Sequence, residues 1–209
     1  MARTYQTYKF TFTFVLKACA GLLALQEGKR IHDQIVNSGL ETDVFIGSAL
    51  IDMYAKCGCI EDASQMFDKL CTRNVVSWNA MIAGYTRSGH WEKALEFYHK
   101  MQMAGVKPNS VTMMSMLPAC GQLGHIEQGK EIHDWIARSG FDLDVFVGTA
   151  LINMYAKCGS MDIARQVFEK IPVKNVVAWT AMISGYVENG YFQEAVEIRC
   201  HPMGIVRKE

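Results

Sequence analysis

Cysteine and histidine are the residues from which a metal centre or a nucleophilic active site could be built in this chain. The sequence has 7 cysteines and 6 histidines, and its most closely spaced cysteine pair is Cys57-Gly58-Cys59. Zinc-binding pairs are usually separated by about two to four residues, so this spacing does not fit. A nucleobase deaminase needs H-x-E together with P-C-x-x-C, and the second motif does not occur. No Gly-rich phosphate loop or catalytic triad stands out, so the sequence predicts no enzyme, cofactor or metal site.

Short hydroxyl and amide side chains at a fixed interval indicate a different chemistry, hydrogen bonding to a repeated ligand. Ser48 and Thr149 lie 101 residues apart. Residues 43–58 read DVFIGSALIDMYAKCG and residues 144–159 read DVFVGTALINMYAKCG, so 13 of 16 positions are identical at the same offset. A constant offset over most of the chain indicates duplicated structure.

The duplicated segment divides further into pairs of helices. In residues 75–109 we expect an amphipathic first helix capped by Ser77, a stop at Gly89 and a second helix from about Trp91 to Met103. Isolated pairs cannot bury their apolar faces, so we predict an all-α solenoid of about eleven or twelve helices with one shared core. The predicted divisions are a leader at 1–8, units at 9–43, 44–74, 75–109, 110–144 and 145–175, and an incomplete, divergent unit at 176–209 in which Pro202 interrupts the last helix.

Composition excludes several classes of protein. Apolar residues make up 50% of the chain, which is enough for a core and excludes a disordered chain. Lys plus Arg and Asp plus Glu number 21 each, so any basic surface for nucleic acid must be local. No apolar stretch reaches the roughly 18 residues of a membrane span, and the first eight residues are too few for a transit peptide. The odd number of cysteines favours a reducing compartment.

These segments resemble the P, L and S motifs of plant pentatricopeptide repeat proteins, the PLS subfamily. The resemblance rests on VVSWNAMIAGYTRSG at 75–89, ALIDMYAKCG at 49–58 and GKRIHDQIVNSG at 28–39, and on units of 35, 35 and 31 residues in rotation. It implies L-type repeats at 9–43 and 110–144, S-type repeats at 44–74 and 145–175, and P-type repeats at 75–109 and 176–209, the last incomplete.

The resemblance also implies a fold, a function and a set of partners. The fold is a right-handed superhelical solenoid, and the function is sequence-specific binding of single-stranded RNA in organellar RNA processing or C-to-U editing. It implies a mitochondrial or chloroplast location and, for editing, accessory proteins as further partners. It implies no catalytic domain within this chain, no cofactor, no membrane and no small-molecule substrate.

In that family the fifth and last residues of each repeat select one base, and the second residue packs against it. Carried over, the S-type pairs resemble adenine readers, the P-type pair a pyrimidine reader that favours cytosine, and the first L-type pair a guanine reader. The N-terminal repeats would bind the 5′ end of the RNA. The implied base-reading residues are Thr13 with Asp43, Ser48 with Asn74, Asn79 with Asn109, Thr149 with Asn175, and Thr180, whose repeat is incomplete; the implied base-packing residues are Phe45, Val76, Phe146 and Val177. The alternative is that the fifth residues are polar helix-start residues selected for capping.

A row of basic residues accompanies these positions. Lys56, Arg87 and Lys157 are each the thirteenth residue of their unit, eight residues after a base-reading position and so on the order of 12 Å along the same helical face. Phosphate contact is the functional interpretation, and charge that complements the helix dipole is the alternative. Glu188 interrupts the row in the sixth unit.

A protein-binding scaffold of the tetratricopeptide type is the rival function. Tetratricopeptide repeats hold close to about 34 residues, unlike the lengths found here. A peptide-binding groove also has no reason to place paired polar residues in register at unit starts and ends.

Overall fold

The computed structural model describes residues 2–139 and 144–198, with side chains from Lys9 onward. Within these ranges the chain is all-α, as predicted, and contains no strand. The divergent end at 199–209, including Pro202, lies outside the described residues. The described residues form twelve helices: α1 (Ala2–Leu22), α2 (Leu25–Asn37), α3 (Val44–Lys56), α4 (Ile60–Lys69), α5 (Val75–Arg87), α6 (Trp91–Met103), α7 (Ser110–Leu123), α8 (Ile126–Arg138), α9 (Val145–Lys157), α10 (Met161–Lys170), α11 (Val176–Glu188) and α12 (Phe192–Glu197).

The helices belong to two compact units, one ending at Met116 and the other beginning at Leu117, with the division inside α7. In the first unit α3 packs between α1 and α5, and α2, α4 and α6 pack against the helices that precede them. In the second unit α9 packs against α8, α10 and α11. Within each unit, the first helices of successive hairpins therefore lie side by side. The predicted leader residues 2–8 are helical and form the start of α1.

Local chemistry explains where the helices begin and end. Ser77 was expected to cap α5, and this was wrong: the cap is Asn74, whose side-chain oxygen accepts the backbone N–H of Ser77. Ser77 returns a bond to the N–H of Asn74, which completes a capping box. At the other end of α5, Gly89 has a φ of +74°, a conformation that costs glycine little, and the predicted stop is confirmed.

Apolar residues of the first helices form the core. Leu50, Met53, Met81 and Ile82 are completely buried. The Met53 thioether lies against Gly28, where an added Cβ atom would require the flexible Met53 side chain to shift. Among the described helices, none has the length and apolarity needed to span a bilayer.

Candidate functional site

The last residue of each predicted unit is the N-cap of the next first helix, and this fixes how its side chain points. The Oδ1 atoms of Asn74, Asn109 and Asn175 accept backbone N–H groups three residues later, at 2.9, 3.1 and 3.0 Å. A side-chain NH₂ group in that place would face another donor, so the oxygen must face the helix. The amide NH₂ group therefore points away from the helix end and is available to a ligand.

Asn79 and Asn109, the predicted P-type pair, contact each other directly. Asn79 Nδ2 donates to Asn109 Oδ1 at 2.9 Å, and Asn79 Oδ1 accepts from the hydroxyl of Thr112 at 2.6 Å. Both acceptor atoms are thus used within the protein. Among the described residues, Asn109 Nδ2 has no partner and Asn79 Nδ2 keeps one unused proton. The polar atoms of this pair that are left with unused hydrogen-bonding protons are therefore both amide donors.

Ser48 and Asn74, the first predicted S-type pair, also lie together. The Ser48 hydroxyl donates to the carbonyl of Val44 at 2.5 Å and lies 3.3 Å from Asn74 Oδ1. With its proton directed to a carbonyl, Ser48 Oγ keeps lone pairs that can accept, while Asn74 Nδ2 can donate. The pair therefore offers one acceptor beside one donor. Ser48 is only 3% exposed and Asn79 only 7%, so a ligand reaches them at the bottom of a groove and not on a flat surface.

That groove lies on the first unit and has a volume of about 420 Å³. Thr13, Ser48, Asn74, Asn79 and Asn109 line it, so the structure brings five predicted base-reading residues to one surface. Its other lining residues are Lys17, Phe45, Ala49, Asp52, Val76, Ala80 and Val111.

Exposed apolar side chains stand at the second position of each predicted unit. Phe45, Val76, Phe146 and Val177 were identified from the sequence, and Phe10 and Val111 were missed although they occupy the same register. All six are more than half exposed, which is unusual for phenylalanine and valine at a recurrent position. Flat or branched apolar groups beside hydrogen-bonding groups are suited to stack against aromatic ligands.

Thr13 and Asp43, the predicted guanine pair, are engaged elsewhere. Thr13 Oγ1 donates to the Lys9 carbonyl at 2.8 Å, and the Asp43 carboxylate forms an ion pair with the Lys9 ammonium. Burial by itself would raise the pKa of Asp43, but hydrogen bonds from Lys9 and from the backbone of Ile46 and Phe45 outweigh it, so the pKa is lowered. Asp43 stays ionised, and a ligand would have to displace Lys9 to reach it.

In the second unit, Thr149 and Asn175 occupy the matching helical positions. Thr149 Oγ1 donates to the carbonyl of Val145 at 2.6 Å, as Ser48 does to its own helix. Thr180 donates in the same way to Val176 at 2.8 Å. Asn175 is exposed, and Phe146 and Val177 are exposed as well. Asp144, which had no predicted base, caps α9 through the N–H of Val147.

The three predicted phosphate-contacting residues are exposed but already paired. Lys56 forms an ion pair with Asp52 at 2.7 Å, and Lys157 forms one with Glu188 at 2.8 Å. Arg87 Nη1 donates to the carbonyl of Ala55 at 3.2 Å. Glu188, which interrupts the basic row in the sequence, thus contacts its nearest basic member directly.

Comparison with known proteins agrees with this architecture. The PPR repeat family matches residues 73–122, and individual PPR repeats match residues 48–75, 149–176 and 177–200. Together these matches cover more than half of the chain, and the chain therefore belongs to the pentatricopeptide repeat family.

Its relatives are longer proteins. A pentatricopeptide repeat-containing protein of Arabidopsis thaliana is 44% identical over 190 residues, which covers 91% of this chain and 26% of the relative. The chloroplastic pentatricopeptide repeat-containing protein CRR2 of the same plant is 41% identical over 196 residues, covering 91% of this chain and 30% of CRR2. The chain thus spans less than a third of these relatives, several of which are named as chloroplastic.

Among solved structures, the fold is similar to that of the pentatricopeptide repeat protein PPR10 of maize, in complex with an 18-nt psaJ RNA element. The TM-score is 0.67 at 22% identity, over 83% of this chain and 26% of PPR10. At this identity the likeness shows the solenoid fold of helical hairpins and nothing about which bases are bound.

Proposed function

We propose that this chain binds single-stranded RNA sequence-specifically, about one base per repeat, as the recognition part of an organellar RNA-processing or C-to-U editing protein, and has no catalytic centre of its own. The observation that carries this is the groove of the first unit, where unused amide donors lie between the exposed side chains of Phe45, Val76 and Val111. An unstacked base needs both features, an edge to pair with and an apolar surface to lie against.

The donor-only pair at Asn79 and Asn109 favours cytosine. Cytosine presents acceptors at N3 and O2, which match the two amide groups. Uracil places an N3–H donor where cytosine has an acceptor, so it would face the Asn109 amide donor to donor. A buried polar group left unpaired costs about 1–3 kcal/mol, which is enough to discriminate between the two pyrimidines.

The pair at Ser48 and Asn74 fits an edge with an acceptor ring nitrogen beside an amino donor. Adenine and cytosine both carry such an edge, and the family's pairing favours adenine. Thr149 and Asn175 supply the same groups in the second unit. We extend the proposal to guanine at Thr13 and Asp43, since an ionised carboxylate can accept from guanine N1–H once Lys9 is displaced.

The family's repeat types complete the proposal. The order of L-, S- and P-type repeats is that of the PLS subfamily, and editing accessory proteins are the further partners proposed. Chloroplastic relatives support an organellar location. The tetratricopeptide-like scaffold is less well supported because a peptide groove does not account for registered pairs of amides and exposed apolar residues.

Fluorescence anisotropy with short labelled RNAs tests the proposal. A single-stranded probe containing 5′-G-A-C-N-A-3′ should bind more tightly than probes changed at the A or C positions, and more tightly than its own double-stranded form, in which the base edges are occupied. Each changed base should weaken binding by about five- to a hundredfold. Equal affinity for every homopolymer would contradict sequence-specific binding. A chain that binds no RNA at all would favour the alternative function, a tetratricopeptide-like scaffold for proteins.

A further inference from the structure

The third residue of a repeat carries a hydroxyl after two of the asparagine N-caps and lacks one after the third asparagine N-cap. Ser77 follows Asn74, Thr112 follows Asn109, and Ala178 follows Asn175, each by three residues. All three are completely buried, so none of them can touch a ligand in the groove. Any influence on binding must act through the asparagine before it.

Thr112 fixes both side chains of the pair that it follows. Its hydroxyl accepts the backbone N–H of Asn109 at 3.0 Å and donates to Asn79 Oδ1 at 2.6 Å. Its own N–H donates to Asn109 Oδ1 at 3.1 Å. The hydroxyl oxygen also lies 3.1 Å from Asn109 Oδ1. Since a hydroxyl has one proton, we assign that proton to the shorter contact, with Asn79.

This network allows one orientation of each amide. Turning the Asn109 amide over would set its NH₂ group against the N–H of Thr112, donor to donor. Turning over Asn79 would set its oxygen against Asn109 Oδ1, acceptor to acceptor. Donors consequently face the groove at both residues. Without the Thr112 hydroxyl, Asn79 keeps only the bond to Asn109 at 2.9 Å.

Ser77 acts similarly on Asn74, although it reaches one reader and not two. Its hydroxyl accepts the N–H of Asn74 at 3.1 Å, which closes the capping box, and it also donates to the Asn74 carbonyl at 2.9 Å. This holds the backbone from which the Asn74 side chain projects.

Ala178 leaves the corresponding junction in the second unit without that reciprocal bond. Asn175 accepts the N–H of Ala178 at 3.0 Å, but alanine returns nothing to it. Asn175 is exposed, whereas Asn74 and Asn109 are partly buried. Its side chain is held by one bond in a more open place.

We infer that Ser77 and Thr112 are positioning residues for base selection: their buried hydroxyls orient the amides that read the base, and Ala178 makes the Thr149–Asn175 position the more permissive adenine reader. The inference rests on the proposed function, because it needs a base at each amide pair. Discrimination between bases then depends in part on a residue that the base does not contact.

Replacing the hydroxyl at position 112 tests the inference. Thr112→Val removes the hydroxyl with little change of shape, whereas Thr112→Ser keeps it. The measured quantity is the ratio of Kd values for RNAs that differ only by uracil or cytosine at the base assigned to Asn79 and Asn109. We expect Thr112→Val to lower this ratio by about three- to tenfold, as for loss of one buried hydrogen bond, and Thr112→Ser to keep it. A purely structural role would lower the melting temperature and leave the ratio unchanged, which would overturn the inference.

Ala178→Ser provides a gain-of-function test that does not depend on the Thr112 variants folding. Serine fits the equivalent buried place at Ser77, so the change should raise discrimination of adenine over guanine at the base assigned to Thr149 and Asn175. Unchanged discrimination in this variant would also overturn the inference. If the parent chain binds no RNA, the proposed function is refuted. If the parent and the variants discriminate between bases equally well, only the role of the third residue is refuted.

Discussion

At the scale of the residue, the side chain that precedes each first helix both caps the helix and faces the proposed ligand. Asn109 must offer an oxygen to the backbone of α7, and what remains for a ligand is its NH₂ group. An aspartate in the same place caps equally well but leaves a second oxygen, as Asp43 does when it caps α3 and pairs with Lys9. The chemistry of helix capping thus determines whether this position presents donors or acceptors.

Asn109→Asp should therefore reverse the pyrimidine preference without loss of the fold. The new carboxylate keeps one oxygen for the N–H of Thr112 and directs the other to the groove, where it can accept from uracil N3–H. We expect discrimination at this base to shift from cytosine to uracil by about 1–3 kcal/mol. Competition binding with RNAs that differ at that base measures the shift, and Asn74→Asp is the matched control because it leaves this position untouched. An unchanged preference in a parent that binds specifically would show that the register is wrong.

How far the sequence predicts these residues depends on what their neighbours contribute. Ser48, Asn79 and Val76, which the repeat register selected, line one groove in the structure, because helical spacing fixes the face on which a residue lies. It did not predict that Ser48 and Asn79 would be nearly buried, or that Thr112 would contact Asn79. Those contacts join residues of adjacent helices 26 to 33 positions apart, and their distances depend on how the helices pack.

At the scale of the element, helix bounds followed from sequence better than caps did. The second helix of residues 75–109 was predicted from about Trp91 to Met103, and α6 has these bounds. The cap of α5 was misplaced at Ser77 because serine and asparagine are both favoured caps, and only the hydrogen bonds distinguish them. Apolar spacing determines a helix, whereas its first residue depends on competition between nearby polar side chains.

Contacts between consecutive hairpins include a histidine and a tyrosine in each unit. His32 Nδ1 lies 2.8 Å from Tyr54 Oη, and His133 Nδ1 lies 3.0 Å from Tyr155 Oη. His32 and His133 are 101 residues apart and so are repeat equivalents, and both contribute to packing, between α2 and α3 and between α8 and α9. Burial lowers the pKa of His133 below its ordinary 6.5; Asp134 opposes this and Lys170 adds to it.

Stability should consequently fall with acidification through this contact. Because the folded state holds His133 neutral, the unfolded chain binds a proton more readily below about pH 6.5, and unfolding is favoured as the pH falls. When the pH is lowered from about 7.5 to about 5.5, the melting temperature of His133→Gln should fall less than that of the parent protein, by on the order of a few degrees. Gln can still accept from Tyr155. The exposed His99, changed to Gln, is the control, and equal pH dependence of all three proteins would contradict the role assigned to His133.

At the scale of the whole molecule, balanced charge limits how the proposed RNA ligand could be bound. With 21 basic and 21 acidic residues the chain has no overall attraction for a polyanion, so affinity must come from local basic groups. Two of the proposed phosphate-contacting residues form ion pairs with acidic side chains, Lys56 with Asp52 and Lys157 with Glu188. The Lys157–Glu188 pair is solvent-exposed, with 43% and 50% of its side chains accessible, so it should be weak enough for a phosphate to compete.

Glu188→Gln should then strengthen RNA binding by releasing Lys157. We expect an affinity gain of about two- to fivefold at low salt, since an exposed pair contributes at most about 1 kcal/mol, and a steeper dependence of log Kd on log salt by up to about one. Lys157→Ala should weaken binding to all sequences alike and flatten that dependence by about one. Glu169→Gln, which removes the same charge from the exposed pair between Glu169 and Arg165 on α10, controls for net charge.

The double variant decides how Glu188 acts. If Glu188 works by holding Lys157, then Glu188→Gln has no further effect once Lys157 is alanine, and the two changes are strongly coupled. If Glu188 repels the phosphates directly, Glu188→Gln gives the same gain with or without Lys157. Additive effects would therefore assign Glu188 to simple repulsion. An unchanged salt dependence in Lys157→Ala would remove Lys157 from the RNA-binding surface and place the phosphates elsewhere on the first helices.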